Sequence, residues 1–297
     1  MKKVLLIIIL FISCKGWSQT YNNEWIDYNK TYYKFKVGET GLYRISLSTL
    51  TSLGIGSTPA EQFQLWRNGR QVPVYTTTTT GPLGAGGYIE FWGLQNDGIP
   101  DRELYRNQDY KLIDKYSLIT DTAAFFLTIN PVTSQNLRLA PTTNNVAGNS
   151  LPAEPYFMYT EGRYCRDYIN PGYYIDAGEY VYSSTYDKGE NFICWDIGAN
   201  QSLIGNHNVF LYSGGPAATL KVNVAGNLIN TRRVLATING DSIVGGSVDF
   251  LNYARFQGTV PLSTISSGTA QIQIKNVTTA GYDRMAVSQY ELIYPRV

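Results

Sequence analysis

Histidine is almost missing from this sequence: His207 is the only one in 297 residues. Cysteine is scarce, with Cys14, Cys165 and Cys194 and no Cys-x₂-Cys spacing, so an ordinary structural zinc site lacks its ligands. Gly-x-Ser-x-Gly and Walker-type loops are absent, which removes the nucleophile elbow and the phosphate cradle. No apolar run after the first dozen residues reaches the ~18 needed to span a bilayer. Charge of one sign is also lacking. There is no basic stripe to mark a nucleic-acid face and no acidic tail.

What is present begins with Met1-Lys2-Lys3 and an apolar run from Val4 to Ile12, the pattern of a secretory signal. Gly16 and Ser18 suit cleavage before Gln19, giving residues 1–18 as signal peptide; lipid attachment at Cys14 is the rival route. Losing Lys2, Lys3 and Lys15 with that segment leaves 21 basic and 23 acidic side chains. The expected location is exported: periplasm, outer-membrane surface or secreted. Export permits Cys165 and Cys194 to pair. The loop of about 30 residues would then add roughly 3–4 kcal/mol. The other reading is two buried thiols acting as small apolar side chains.

Strand signals dominate the rest. Tyr32–Val37, Leu42–Ile45, Phe63–Arg67, Arg70–Val74, Tyr88–Trp92 and Ala123–Ile129 read as strands, and Ser46–Leu53 as a short helix capped by Ser46 and ended by Gly54. Asn68-Gly69 predicts a hairpin turn, since both residues must take positive φ. Pro73, which cannot donate to a ladder, places the second hairpin strand at an edge. Residues 136–152, rich in Asn, Thr, Pro and Ser, read as a linker between a β domain over 19–135 and a β-sandwich over 153–297. In the second half Glu179–Ser183, Phe192–Asp196, Asn208–Tyr212, Thr219–Val224, Leu228–Asn230, Val234–Ile238, Val248–Ala254, Gln271–Lys275 and Gln289–Tyr294 are expected strands. Turns are expected at Ala225-Gly226-Asn227 and Asn239-Gly240. The class is all-β, with a jelly-roll-like second domain and at most short helices.

Chemistry finds little footing. A Cys165–His207 or Cys194–His207 dyad has no local support, and Gly205-Asn206-His207-Asn208 reads as an exposed turn. No cofactor is expected apart from calcium: Asp97, Asp101 and Glu103 are candidate ligands in what resembles half of a calcium loop. Asn-Asp-Gly and Pro-Asp also make ordinary turns. Tyrosines cluster at 156, 159, 164, 168, 173, 174, 180, 182 and 186. The plain expectation is that they fill the core and strand faces; stacking on a sugar or packing against a protein are the functional readings.

Three runs carry a resemblance. They are Glu24-Trp25-Ile26 with Tyr32–Val37 and Gly41-Leu42-Tyr43-Arg44-Ile45; Glu61 through Val74; and Tyr88-Ile89-Glu90-Phe91-Trp92-Gly93 with Asn96-Asp97-Gly98 and Asp101. Together with Tyr290–Arg296 they resemble the N-terminal, non-catalytic region of gingipain-family cysteine peptidases and of the PorU-type sortase of the type IX secretion system. The resemblance implies a β module that positions or docks a catalytic domain absent from this chain, partners among peptidase, sortase or secretion-system proteins, and a truncated or fragmentary chain. No catalytic residue carries over. The alternative is a free-standing carbohydrate- or surface-binding β-sandwich. Neither reading involves nucleic acid or a transmembrane segment.

Overall fold

A computed structural model describes residues 23–143, 147–148, 152–182 and 187–297. The expected signal segment 1–18 with Cys14, parts of the 136–152 linker and Tyr186 lie outside the described residues. The chain is all-β, and among the described residues no helix is long and apolar enough to cross a membrane. Two compact units form. One holds the chain up to Gln95 with Thr122–Thr142; the other holds Asn96–Asp121 with Thr143–Val297.

The first unit contains β1 (Tyr33–Val37), β2 (Gly41–Ser46), α1 (Leu47–Ser52), β3 (Phe63–Arg67), β4 (Arg70–Val72), β5 (Tyr75–Thr76), β6 (Tyr88–Gly93) and β7 (Ala123–Ile129). A sheet ordered β1-β7-β3-β4 and a sheet ordered β2-β6-β5 share one core around Leu50, Phe63, Leu65, Ile89, Phe91 and Phe125. Ser46 caps α1 through its Oγ, which accepts from Thr49 N, and Gly54 ends it at φ 77°. Asn68 and Gly69 adopt φ 47° and 72°, and β4 is the edge strand that Pro73 demands. Arg44 pairs with Glu90 directly across the β2–β6 ladder, while Glu61 accepts from Gly81 N. The Trp25 ring stacks on Trp66.

Composition draws the linker at 136–152, but its first residues tie into this unit. Asn136 is buried, and Arg138 Nη2 donates to the carbonyls of Ala60, Glu61 and Phe63. Residues 96–121, which composition assigns to the first domain, group with the second unit. They form only 3₁₀ turns, so no period in the sequence marks them.

The second unit contains β8 (Phe157–Tyr164), β9 (Tyr168–Pro171), β10 (Tyr173–Asp176), β11 (Glu179–Tyr182), β12 (Glu190–Ile193), β13 (Ile197–Gly198), β14 (Ser202–Asn208), β15 (Ala218–Gly226), β16 (Thr231–Ile238), β17 (Asp241–Asp249), β18 (Tyr253–Val260), β19 (Thr269–Val277) and β20 (Arg284–Arg296). Strands β13 to β20 pair in a nested way: β13 with β20 and β15 with β18 in one sheet, β14 with β19 and β16 with β17 in the other. That nesting is a jelly roll, two sheets closed over one core. The core includes Leu220, Val222, Val234, Ala236, Ile272, Ile274, Tyr290 and Leu292. β8 is added outside, along β20.

Three expected strands are misplaced. The strand read at Asn208–Tyr212 lies at 202–208; Gly205 and Asn206 hide it, and Leu211 makes only an isolated bridge to Arg296. Leu228–Asn230 is a bend, its Leu228 carbonyl gripped by the buried Arg232. Val248–Ala254 is broken by a turn at Phe250, whose φ is 55°. Ala225 and Gly226 belong to β15, so the expected turn there begins later, at Asn227.

Candidate functional site

Cys165 and Cys194 are joined by a disulfide, which closes a 29-residue separation. Their amides donate to Ser288 O and Val287 O, so both ends of the loop are fastened to β20. Inside the loop β9 pairs with β12, setting Tyr168 opposite Ile193. The buried Asn191 pins this ribbon: its Oδ1 accepts from Leu112 N and its Nδ2 donates to Tyr110 O. Trp195 follows Cys194 directly. Its indole is 70% exposed and stacks on the exposed Tyr168 at 6.0 Å with 20° between planes. The fastened backbone thus holds two rings in solvent where their loss of freedom is already met.

The β10–β11 hairpin turns at Ala177-Gly178, φ 48° and 87°, and places Tyr173 opposite Tyr182. Tyr180 and Tyr182 lie exposed on one face, with ring centroids 5.8 Å apart. The expectation that the tyrosine cluster fills the core and strand faces holds for the strands, since most of it lies in β8 to β11, and is corrected for the core. Tyr168, Tyr180 and Tyr182 are exposed, and Tyr156, Tyr159, Tyr164, Tyr173 and Tyr174 are only half-buried. Among the described residues the buried tyrosines are instead Tyr105, Tyr290 and Tyr294. Hydrophobicity alone does not separate the two sets; strand register does.

A second aromatic patch surrounds the end of β20. Arg296 pairs with Phe157 on one side and bridges to Leu211 on the other. Its guanidinium sits 4.4 Å from the Tyr159 ring and 4.8 Å from that of Phe210. Phe157 and Phe210 are more than half exposed, and Met158 nearly so.

His207 is not on an exposed turn, contrary to the sequence reading. It lies in β14 with a side chain only 12% exposed. Nδ1 meets Glu161 Oε1 at 3.1 Å and Nε2 meets Tyr290 Oη at 3.0 Å. Burial raises the Tyr290 phenol above its ordinary range. Gly205 makes the room: a Cβ there would stand 1.8 Å from Tyr290 Oη. The bridge ties β14 of one sheet to β8 and β20 of the other. Neither cysteine offers His207 a free thiol, since each is bonded to the other.

The three calcium candidates do not converge. Asp97 Oδ1 accepts from Ile99 N, and Glu103 Oε1 from Gln108 Nε2. The buried Asp101 spends both oxygens on Ser117 Oγ and Leu118 N. Among the described residues no group of three or more His, Cys, Asp or Glu is placed to hold a metal ion. A lysine cation sits within this loop instead. Lys111 is buried, its Nζ donates to Ile113 O, and a Cβ on Gly98 would approach that Nζ to 2.7 Å. Burial pushes the ammonium down to about 8, with Asp101 and Asp114 pulling the other way.

No protein-family model and no curated protein matches this sequence. Among solved structures, the chain is similar to dimeric latent PorU from Porphyromonas gingivalis, with 11% identity and a TM-score of 0.49 over 89% of this chain. The chain spans 24% of that protein's length. It is also similar to the carbohydrate-binding module CBM36 in complex with calcium and xylotriose, with 14% identity, TM-score 0.27, 33% of this chain and 77% of that one. A β-porphyranase of glycoside hydrolase family 86 from Bacteroides plebeius gives 9% identity and TM-score 0.28, over 92% of this chain and 36% of that one. These are similarities of β architecture.

Proposed function

We propose that this chain is an exported, non-catalytic β module that positions or docks a cysteine-peptidase or sortase domain of the gingipain type. The observation that supports docking is the patch around Arg296, where Phe157 and Phe210 stand in solvent beside a guanidinium set between two rings. Exposed aromatic and arginine side chains in one contiguous patch are the composition of a protein interface. Docking asks for no nucleophile, and Cys165 and Cys194 are spent on each other. Export is supported by the basic start and the apolar run Val4–Ile12.

A gingipain-type cysteine-peptidase domain serves as the partner in the test. Residues 19–297 are titrated with that domain by calorimetry. Replacing Phe157 and Phe210 together by Ser should weaken binding at least about tenfold, the loss of one interface hot spot, without altering the circular dichroism. Unchanged affinity, or Cys-dependent peptide cleavage by residues 19–297 alone, would sink the proposal.

A second reading, a carbohydrate- or surface-binding sandwich, is favoured by the Trp195–Tyr168 pair on its disulfide-fastened ribbon. Binding on a glycan array that disappears in Trp195→Ala would establish it. An array blank for the parent protein removes it.

A further inference from the structure

The sequence holds two Asn-Gly dipeptides, Asn68-Gly69 and Asn239-Gly240, and both form positive-φ hairpin turns. Their side chains are treated very differently. Asn239 is clamped: its Nδ2 donates to Thr264 O at 2.7 Å and Thr269 O at 2.9 Å, and its Oδ1 accepts from Gln271 N at 2.8 Å. Asn68 is exposed, and among the described residues nothing holds its amide.

The flanking strands differ as well. Asn239 joins β16 and β17, eight and nine residues long. Asn68 joins β3 to β4, an edge strand of three residues that Pro73 cuts short. A ladder of three pairs frays readily, and fraying frees the backbone of the turn. Arg67 and Arg70 stand directly opposite each other at its base. The Arg67 guanidinium is turned away from the turn, donating to Gln95 O and lying over the Phe125 ring, so it does not hold the Asn68 amide.

We infer that Asn68 is a site of self-modification, converting to aspartate and isoaspartate while Asn239 is spared. The Gly69 backbone nitrogen gives its proton to solvent and attacks Asn68 Cγ. A C–N bond forms, the side-chain amide leaves as ammonia, and a succinimide ring remains. Water opens the ring at either carbonyl. One water is consumed, one ammonia is released, and no redox partner is involved. The isoaspartate form adds a backbone carbon to the turn.

The test ages the folded secreted chain, residues 19–297, in mildly alkaline ammonium-free buffer at body temperature. Peptide mapping by mass spectrometry and isoaspartyl methyltransferase labelling then read both turns. The peptide holding residue 68 should convert at least about tenfold faster than that holding residue 239, the protection that three retained hydrogen bonds give. In guanidinium, where neither turn exists, the two rates should draw together. Asn68→Ser should abolish the labelling of its peptide and leave the other unchanged. Equal rates in the folded chain, a faster Asn239, or conversion of Asn68 only after unfolding would overturn the inference.

Discussion

Lys111 makes the stability of the second unit depend on alkaline pH in an unusual direction. Its ammonium is pushed from the ordinary 10.5 down to about 8, by burial first, so between these values the folded chain holds fewer protons than the unfolded one. Stability therefore rises with pH across this window. It is lowest where both states are protonated, below about pH 8. Between about pH 7.5 and about pH 9.5 the gain from this one group is about 2 kcal/mol. The buried phenols act later. Burial raises Tyr164 and Tyr290 in the folded state, so they draw stability down only once unfolded tyrosine ionises, above about pH 10. Urea unfolding of the parent and of Lys111→Met at the two lower values isolates the effect. Met keeps the length of the stem, removes the titration, and leaves only the Ile113 carbonyl without its donor, a cost of about 1 kcal/mol. The parent should gain stability and Lys111→Met should stay flat. Identical pH profiles for the two proteins would refute the assignment.

Other expectations follow from the same side chains. Replacing Cys165 and Cys194 by Ala should lower the stability of the second unit by roughly 3–4 kcal/mol, read as a shifted urea midpoint that dithiothreitol reproduces in the parent. Arg232→Met strands the fully buried Asp283 carboxylate beside Asn276 and should cost about 3–5 kcal/mol; Arg232→Met with Asp283→Leu should recover part of it, as measured by thermal melting. Gly205→Ala drives a methyl into Tyr290 Oη and should cost about 1–3 kcal/mol, with a smaller loss in a Tyr290→Phe background; additive losses would remove Tyr290 as the obstacle.

Alternation and turn chemistry carry the first unit almost unaided. Phe63–Arg67, Asn68-Gly69 and Ala123–Ile129 read directly because each is local, and Ser46 caps its helix with a neighbour three residues away. The second unit was legible as a sandwich but less so in detail. β14 carries Gly205 and Asn206 inside a strand, a choice explained only by Tyr290, far along the chain. The Glu161–His207–Tyr290 bridge is invisible for the same reason: its members lie on three strands, and no spacing links them. The half calcium loop, read also as an ordinary turn, is local in a different way. Its residues are local, but Lys111 in their midst is declared by no motif. The exposed Trp195–Tyr168 pair needed the register of β9 against β12, which in turn needed the disulfide.

The pairing of β8 with β20 has a mechanical consequence. Phe157, the first residue of β8, sits opposite Arg296, the last of β20. A pull applied at these two points does not load the ladder along its length. It opens the first pair, then the next, as a zipper opens from its tab. β8 would come away at low force, while β13 to β20, nested about their own core, stay folded. The unit thus contains a strand that can lengthen under tension and return, a yielding joint in series with a stiff body.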